Sequence, residues 1–190
     1  MHVLIDIDEP KLITFYKALI SELQVKNHLI EITAPNNLKR LLDENNINSH
    51  YIGYAFSLFG LFQDKSMILR SANLLNYIDE LKTKVDVGIS TGSKTILFTC
   101  ANLNIPLVLI LSNYKENIHP LYKAYEKCFF IFPDDAPDQL LLEKGYDIQK
   151  TARYKGTINK ENKIQDLKSI KEITAKIEYL SKHMPGGLMA

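Results

Sequence analysis

Three groups of reactive side chains stand out in this 190-residue chain, each placed just after a short apolar run. The first is Asp6, Asp8 and Glu9 in the segment IDIDEP. Carboxylates two residues apart on an extended backbone point the same way, so Asp6 and Asp8 could hold a ligand hydroxyl together or take a proton as a base. The competing reading is structural: Asp8 caps the following helix and complements its dipole, while Asp6 bonds a neighbouring loop. The second group, Thr91-Gly92-Ser93-Lys94, follows VDVGIS. A glycine and hydroxyls at a strand-to-helix turn present backbone N–H groups to an anion or polar ligand, although the same residues are ordinary helix-capping chemistry. The third lies in SNYKENIHP, which carries Asn113, Glu116 and His119. His119 is the one histidine expected near the carboxyl end of a strand, where a general acid–base would sit. The candidate catalytic residues are therefore Asp6, Glu116 and His119. The candidate ligand-binding residues are Asp8, Gly92, Ser93, Lys94 and Asn113.

Other chemistries find no support. Neither GxxxxGK[ST] nor GxGxxG occurs, so the phosphate-binding loop and the dinucleotide fingerprint are absent, and no cofactor is expected. His2, His28, His50 and His183 are isolated, with no metal-ligand spacing, and are expected to be solvated. Cys100 and Cys128 each sit in an apolar run, LFTCANL and KCFFIF, as buried free thiols do. A net charge of +1 gives no reason to expect nucleic acid or an anionic membrane surface. No apolar run approaches the roughly 18 residues of a membrane span and no secretory leader is visible. A cytoplasmic location is the expectation.

The elements that must position these groups read as alternating strands and helices. Residues 3–7 form a buried-strand run, Pro10 can begin a helix, and Leu12, Phe15, Tyr16, Leu19, Ile20 and Leu23 repeat at helical spacing. Strands are expected at 29–34, 50–54, 85–90, 107–111 and 128–132, with helices between them. Asparagine after Pro35 can cap the second helix, and Ser66 a long third one carrying Ile68, Leu74, Leu75, Ile78 and Leu81. Residues 55–65, AFSLFGLFQDK, break the rhythm: either a helix start or loop packed on the core, or a mobile apolar rim beside a ligand cleft or a surface for a partner or lipid. Gly145 is placed to end a helix over QLLLEK. The pattern predicts a three-layer Rossmann-like α/β domain over residues 1–156, with a mostly parallel six-stranded sheet in the order 3-2-1-4-5-6. Residues 157–190 are expected to add one amphipathic helix and a loose tail.

Six segments in register (IDIDEP with FYKALISEL, NHLIEITA, INSHYIG, VDVGISTGS, NIPLVLI, and FIFPDDAP through YKG) give the chain a resemblance to a known family. It resembles an archaeal and bacterial family of unknown function, domain of unknown function 354, related to UDP-N-acetylglucosamine 2-epimerases and to two-domain GT-B glycosyltransferases. The resemblance implies the amino-terminal, acceptor-side half of a sugar-nucleotide enzyme. In that family a second Rossmann-like domain follows and holds most of the nucleotide-sugar, whereas 34 residues follow Gly156 here. The family's opening turn carries a second proline and a histidine where this chain has Lys11 and Leu12. Its turn after the fifth strand carries Asp, Glu and His where this chain reads SNYKENIH. The implied partners are a sugar or nucleotide-sugar and a second-domain chain or another copy. Catalysis by this chain alone is not expected; a binding or scaffold domain, or a truncated gene product, are the alternatives.

Overall fold

A computed structural model describes residues 1–53, 63–115, 118–156, 158 and 167–183. Seven strands form a single sheet: β1 (His2–Asp6), β2 (Leu29–Ala34), β3 (His50–Tyr51), β4 (Val87–Ser90), β5 (Leu107–Ile110), β6 (Cys128–Pro133) and β7 (Thr151–Tyr154). Their order is 3-2-1-4-5-6-7 and every pairing is parallel. The expected order holds and gains a strand. Thr151–Tyr154 (TARY) lacks the apolar run of a central strand, because an edge strand has one neighbour and less to bury. It pairs with β6 through Phe130–Pro133.

The helices are α1 (Ile13–Val25), α2 (Lys39–Glu44), α3 (Gln63–Asp79), α4 (Lys94–Leu103), α5 (Pro120–Ala124), α6 (Asp138–Glu143) and α7 (Leu167–His183). Pro10 opens a 3-10 turn, Pro10–Leu12, that leads into α1. The 3-10 turn before α2 has Pro35 at its N-cap and no side-chain cap bond from asparagine. Ser66 lies inside α3 and does not cap it. Gly145 follows α6, where the N–H groups of Gly145 and Tyr146 return to the carbonyls of Leu142 and Leu141. Residues 54–62, most of the segment that broke the sequence rhythm, lie outside the described residues.

Alternation along the strands sorts the core into two layers. Val3, Ile5 and Ile7 pack with Val87, Ile89, Val108, Ile110, Phe129 and Ile131 beneath α1, α2 and α7. Leu4, Leu107, Leu109, Phe130 and Phe132 pack on the other face beneath α3, α4, α5 and α6. Gly88 in β4 is dictated by this second layer, since a Cβ there would lie 2.6 Å from the Cys100 sulfur. Both cysteines are buried free thiols whose pKa burial drives upward.

The connections from β4 to β7 place α4, α5 and α6 on a single face, so the opposite face of β5–β7 needs another cover. Helix α7 supplies it: Ile170, Ile173, Ile177 and Leu180 join the layer of Val108, Ile110, Phe129 and Ile131. Polar contacts fasten its two ends. Glu172 accepts the Lys155 N–H at 2.7 Å, and Glu178 binds both Lys26 and His28 at 2.8 Å. Lys26 and His28 together hold the Glu178 carboxyl below its ordinary pKa. Two histidines expected in solvent are thus inside the structure. His28 is mostly buried against Glu178, and His2 is 5% exposed with Nδ1 beside the Lys84 carbonyl. His50 and His183 are exposed.

Because the α7 isoleucines complete a core layer, Ile177→Ala should destabilise the protein by about 2–5 kcal/mol in urea unfolding. Tyr179→Ala, at a position 57% exposed on the same helix, should change little. Equal, negligible effects would show that α7 is not part of the cooperative unit.

Candidate functional site

The strand order reverses between β1 and β4, and in open parallel sheets ligands bind outside the carboxyl ends of the strands at such a point. Asp6 ends β1 and faces the α3 layer, as do Thr33 in β2 and Ser90 in β4. Asp6 is fully buried, and four hydrogen bonds reach its two oxygens. Arg70 of α3 grips it with both terminal nitrogens, Nη1 at 3.0 Å and Nη2 in a shorter contact. Thr33 donates at 2.8 Å and Ser93 at 2.6 Å. Arg70 is itself buried, and its Nε donates to the Ile52 carbonyl at 3.0 Å. A carboxylate offers about four lone-pair sites, so Asp6 has none left for a ligand. The expected bond to a neighbouring loop is in fact a junction of β1, β2, α3 and α4.

Arg70 has no counterpart among the sequence candidates. Its signal was present: stepping back from the buried Leu74 and Ile78 by one helical turn places an arginine on the inward face of α3. An arginine there requires an anion inside, and Asp6 is that anion.

Asp8 lies two residues past Asp6 and is partly exposed. Burial, and then the charge on Asp6, push its carboxyl pKa up to about 7, against the opposing pull of Arg70 and a Ser93 hydrogen bond. Asp8 does not cap the following helix: the N-cap of the 3-10 turn is Glu9, and neither that turn nor α1 carries a side-chain cap bond. Nearby, Tyr16 hydrogen-bonds Thr91 at 2.6 Å, and burial holds its hydroxyl well above the ordinary tyrosine pKa.

Ser90 organises the turn into α4. Its Oγ accepts the N–H groups of both Gly92 and Ser93 at 2.9 Å. It also pairs with Tyr122 at 2.9 Å, and Tyr122 donates onward to the Ser93 carbonyl at 2.6 Å. The amides of Gly92 and Ser93, expected to face a ligand, are therefore turned inward. The Ser93 side chain is buried as well, whereas Gly92 and Lys94 are exposed. Gly92 has φ +138°, with open space where a Cβ would stand, so the backbone conformation and not crowding favours glycine. The first turn of α4 begins at Lys94, and its N–H groups have no intrahelical partners.

The remaining candidates stand apart from this crevice, along the ends of β5 to β7. Asn113 is exposed, and its Oδ1 accepts the Lys115 N–H at 2.8 Å. His119 caps the five-residue α5, its Nδ1 facing the Leu121 N–H at 3.4 Å. Glu116 lies outside the described residues. A cleft of about 510 Å³ opens here, lined in part by Asn113, Lys115 and Asp134. Among the described residues no group of three or more His, Cys, Asp or Glu is placed to hold a metal ion. No described helix is long and apolar enough to cross a membrane.

No family profile and no curated protein sequence matches the chain. Solved structures do. The chain is similar to MurG of Acinetobacter baumannii, with TM-score 0.54 and 18% identity over 72% of this chain and 42% of that one. A putative UDP-N-acetylglucosamine 2-epimerase of Listeria monocytogenes matches with TM-score 0.55 and 13% identity, over 80% of this chain and 44% of that one. The glycosyltransferase SsfS6 of Streptomyces sp. SF2575, crystallised with thymidine diphosphate, gives TM-score 0.55 and 12% identity over 81% and 52%. The shared feature is the fold, a parallel sheet flanked by helices that matches one Rossmann-like half of a GT-B protein. The chain spans about half the length of these structures or less.

Removing one partner of a buried ion pair strands the other, so Arg70→Met should cost about 3–5 kcal/mol in urea unfolding. The double variant Asp6→Leu/Arg70→Met should recover much of that loss; an additive result would show that the two residues act separately. Asp8 gives a pH signature of opposite sign to a paired carboxylate. The folded chain keeps the Asp8 proton to about pH 7, while the unfolded chain loses it near 3.8. Stability therefore falls as pH rises through that window and levels off above it. Asp8→Asn should raise the melting midpoint by several degrees at pH 8 and leave it nearly unchanged at pH 3. A uniform shift across that range would contradict the assignment.

Proposed function

We propose that the chain is the amino-terminal, acceptor-side half of a sugar-nucleotide glycosyltransferase or 2-epimerase-like assembly and does not catalyse alone. A second Rossmann-like unit, on the same polypeptide or another, would supply most contacts to the nucleotide-sugar. The observation that carries this reading is the placement of Asp8 beside the first turn of α4, at the reversal point of a parallel sheet. A carboxyl that titrates near pH 7 can exchange a proton with a ligand hydroxyl at ordinary pH, and Lys94 with the adjacent helix terminus favours an anionic group. The fold shared with glycosyltransferases and an epimerase, across about half of their length or less, supports the same reading. The kinship to the domain of unknown function 354, with a cytoplasmic location, belongs to this proposal.

In the proposed chemistry burial, and then the neighbouring Asp6, keep the Asp8 pKa raised, while the Ser93 hydroxyl donates to Asp6. Asp8, Gly92 and Lys94 face the ligand. A second reading, a non-catalytic sugar- or polar-ligand-binding scaffold, is favoured by one fact. Ser90 takes up the Gly92 and Ser93 amides, and Asp6 is saturated, which leaves few free groups in the crevice.

Amide NMR separates these readings. UDP-N-acetylglucosamine should shift Asp8, Gly92 and Lys94 weakly in this chain alone. A candidate second Rossmann-like unit should form a stable complex, strengthen those shifts and give sugar transfer or epimerisation. Complex formation and binding without turnover would favour the scaffold. No association and no shifts would overturn both.

A further inference from the structure

Tyr16 lies on the inward face of α1, fully buried among the apolar residues of that layer. A phenol so placed must still satisfy its hydroxyl proton, because an unpaired buried donor is costly. Its oxygen lies 2.6 Å from Thr91 Oγ1, in the turn between β4 and α4, and this is its only hydrogen bond among the described residues. Burial, and then the charge on Asp8, hold the phenol pKa well above its ordinary value, so the proton stays on Tyr16. By geometry alone either oxygen could donate. Burial decides it. If Thr91 donated, the Tyr16 proton would be stranded in the core; when Tyr16 donates, the half-buried Thr91 keeps a proton of its own. No acceptor among the described residues takes that proton. Thr91 therefore carries a hydroxyl donor, polarised from behind by a phenol, between the buried Ser90 and the exposed Gly92.

We propose that Thr91 is a ligand-binding residue of the β1–β4 crevice, donating its hydroxyl proton to an acceptor oxygen of the bound molecule, with Tyr16 as the positioning residue behind it. Tyr16 does not touch the ligand: it is wholly buried and acts only through Thr91. The bond occupies one lone pair of the threonine oxygen, which limits where the remaining O–H can swing, and it strengthens that O–H as a donor. A donor held in this way fills a specific gap. The Gly92 and Ser93 amides are spent on Ser90, and the Asp6 oxygens are taken by Arg70, Thr33 and Ser93. Few groups at the reversal point are then left to meet an oxygen acceptor, and Thr91 joins Lys94 among them. The inference rests on the proposed function for the presence of a ligand in the crevice, and it adds the pair of residues that orients one.

The test is amide and side-chain NMR on the full 190-residue chain titrated with UDP-N-acetylglucosamine. The Tyr16 ring carbon that bears the hydroxyl should move with the same midpoint as the Asp8, Gly92 and Lys94 amides, although Tyr16 is out of the ligand's reach. Thr91→Val should weaken binding about two- to tenfold and abolish the Tyr16 response. Thr91→Ser keeps the hydroxyl and should bind as the unaltered chain does. Tyr16→Phe should weaken binding by less than Thr91→Val. The double variant Tyr16→Phe/Thr91→Val should be no worse than Thr91→Val alone, because Tyr16 acts through Thr91. Tyr125→Phe removes a phenol that donates to the Cys100 and Ile105 carbonyls at the other end of α4, and it should leave binding unchanged. Additive losses in the double variant, full affinity in Thr91→Val, or a Tyr16 ring carbon silent at saturation would each overturn the assignment. In those cases the nucleotide-sugar still binds and the proposed function stands; no binding by the unaltered chain would overturn both.

Discussion

The buried ion pair of Asp6 and Arg70 is the constraint to which the surrounding elements answer. Each member is almost wholly removed from water, and neither could be tolerated alone in that position. The pair is acceptable because further hydrogen bonds support it: Thr33 and Ser93 complete the carboxylate, and the Ile52 carbonyl takes a third guanidinium N–H. Those partners come from β2, from the turn before α4 and from the end of β3. A shift of any one element by one residue would leave a buried charge unpaired. Apolar layers set how tightly the sheet and helices pack, but they tolerate sliding better than this junction does. The polar network therefore fixes the register of the carboxyl edge, where the candidate site lies.

The same network determines what Asp8 can do. A lone carboxylate at a strand end would ionise well below neutral pH, but burial, and then the charge on neighbouring Asp6, favour the Asp8 proton. Arg70 opposes them and does not prevail, because its charge is engaged with Asp6. The division of labour between two aspartates two residues apart thus follows from which of them α3 reaches. Ser90 and Tyr122 act similarly on the neighbouring turn, spending two backbone amides on internal bonds so that α4 starts in a set place.

Much of the architecture was legible from residue patterns. The run Leu29–Ala34, the central β5 and β6 and the αβ alternation follow from apolar periodicity, which central parallel strands display strongly. The edge strand β7 escaped that logic because Thr151, Ala152 and Arg153 are only partly buried. The site was legible by address more than by contact. Asp6, Asp8, Gly92, Ser93 and Lys94 do meet around one point, since all lie at strand ends flanking the reversal. Their directions were not legible, because Ser93 turns toward Asp6, a residue 87 positions away in sequence. Arg70, Thr33, Ser90 and Tyr122 are common residue types whose significance arises only from the elements facing them.

The Asp134–Asp135 pair shows the converse case. These two side chains make no hydrogen bond or ion pair within the described residues, whereas Asn113 of the same cleft holds the Lys115 amide. At the β1 end, charge is buried and consumed in holding the sheet edge; at the β5–β7 end, charge is left open over a concave surface. The same edge therefore uses its charges in two ways, and Asp8, whose pKa is raised by burial and by the charge on Asp6, ties its partly exposed surface to the buried junction.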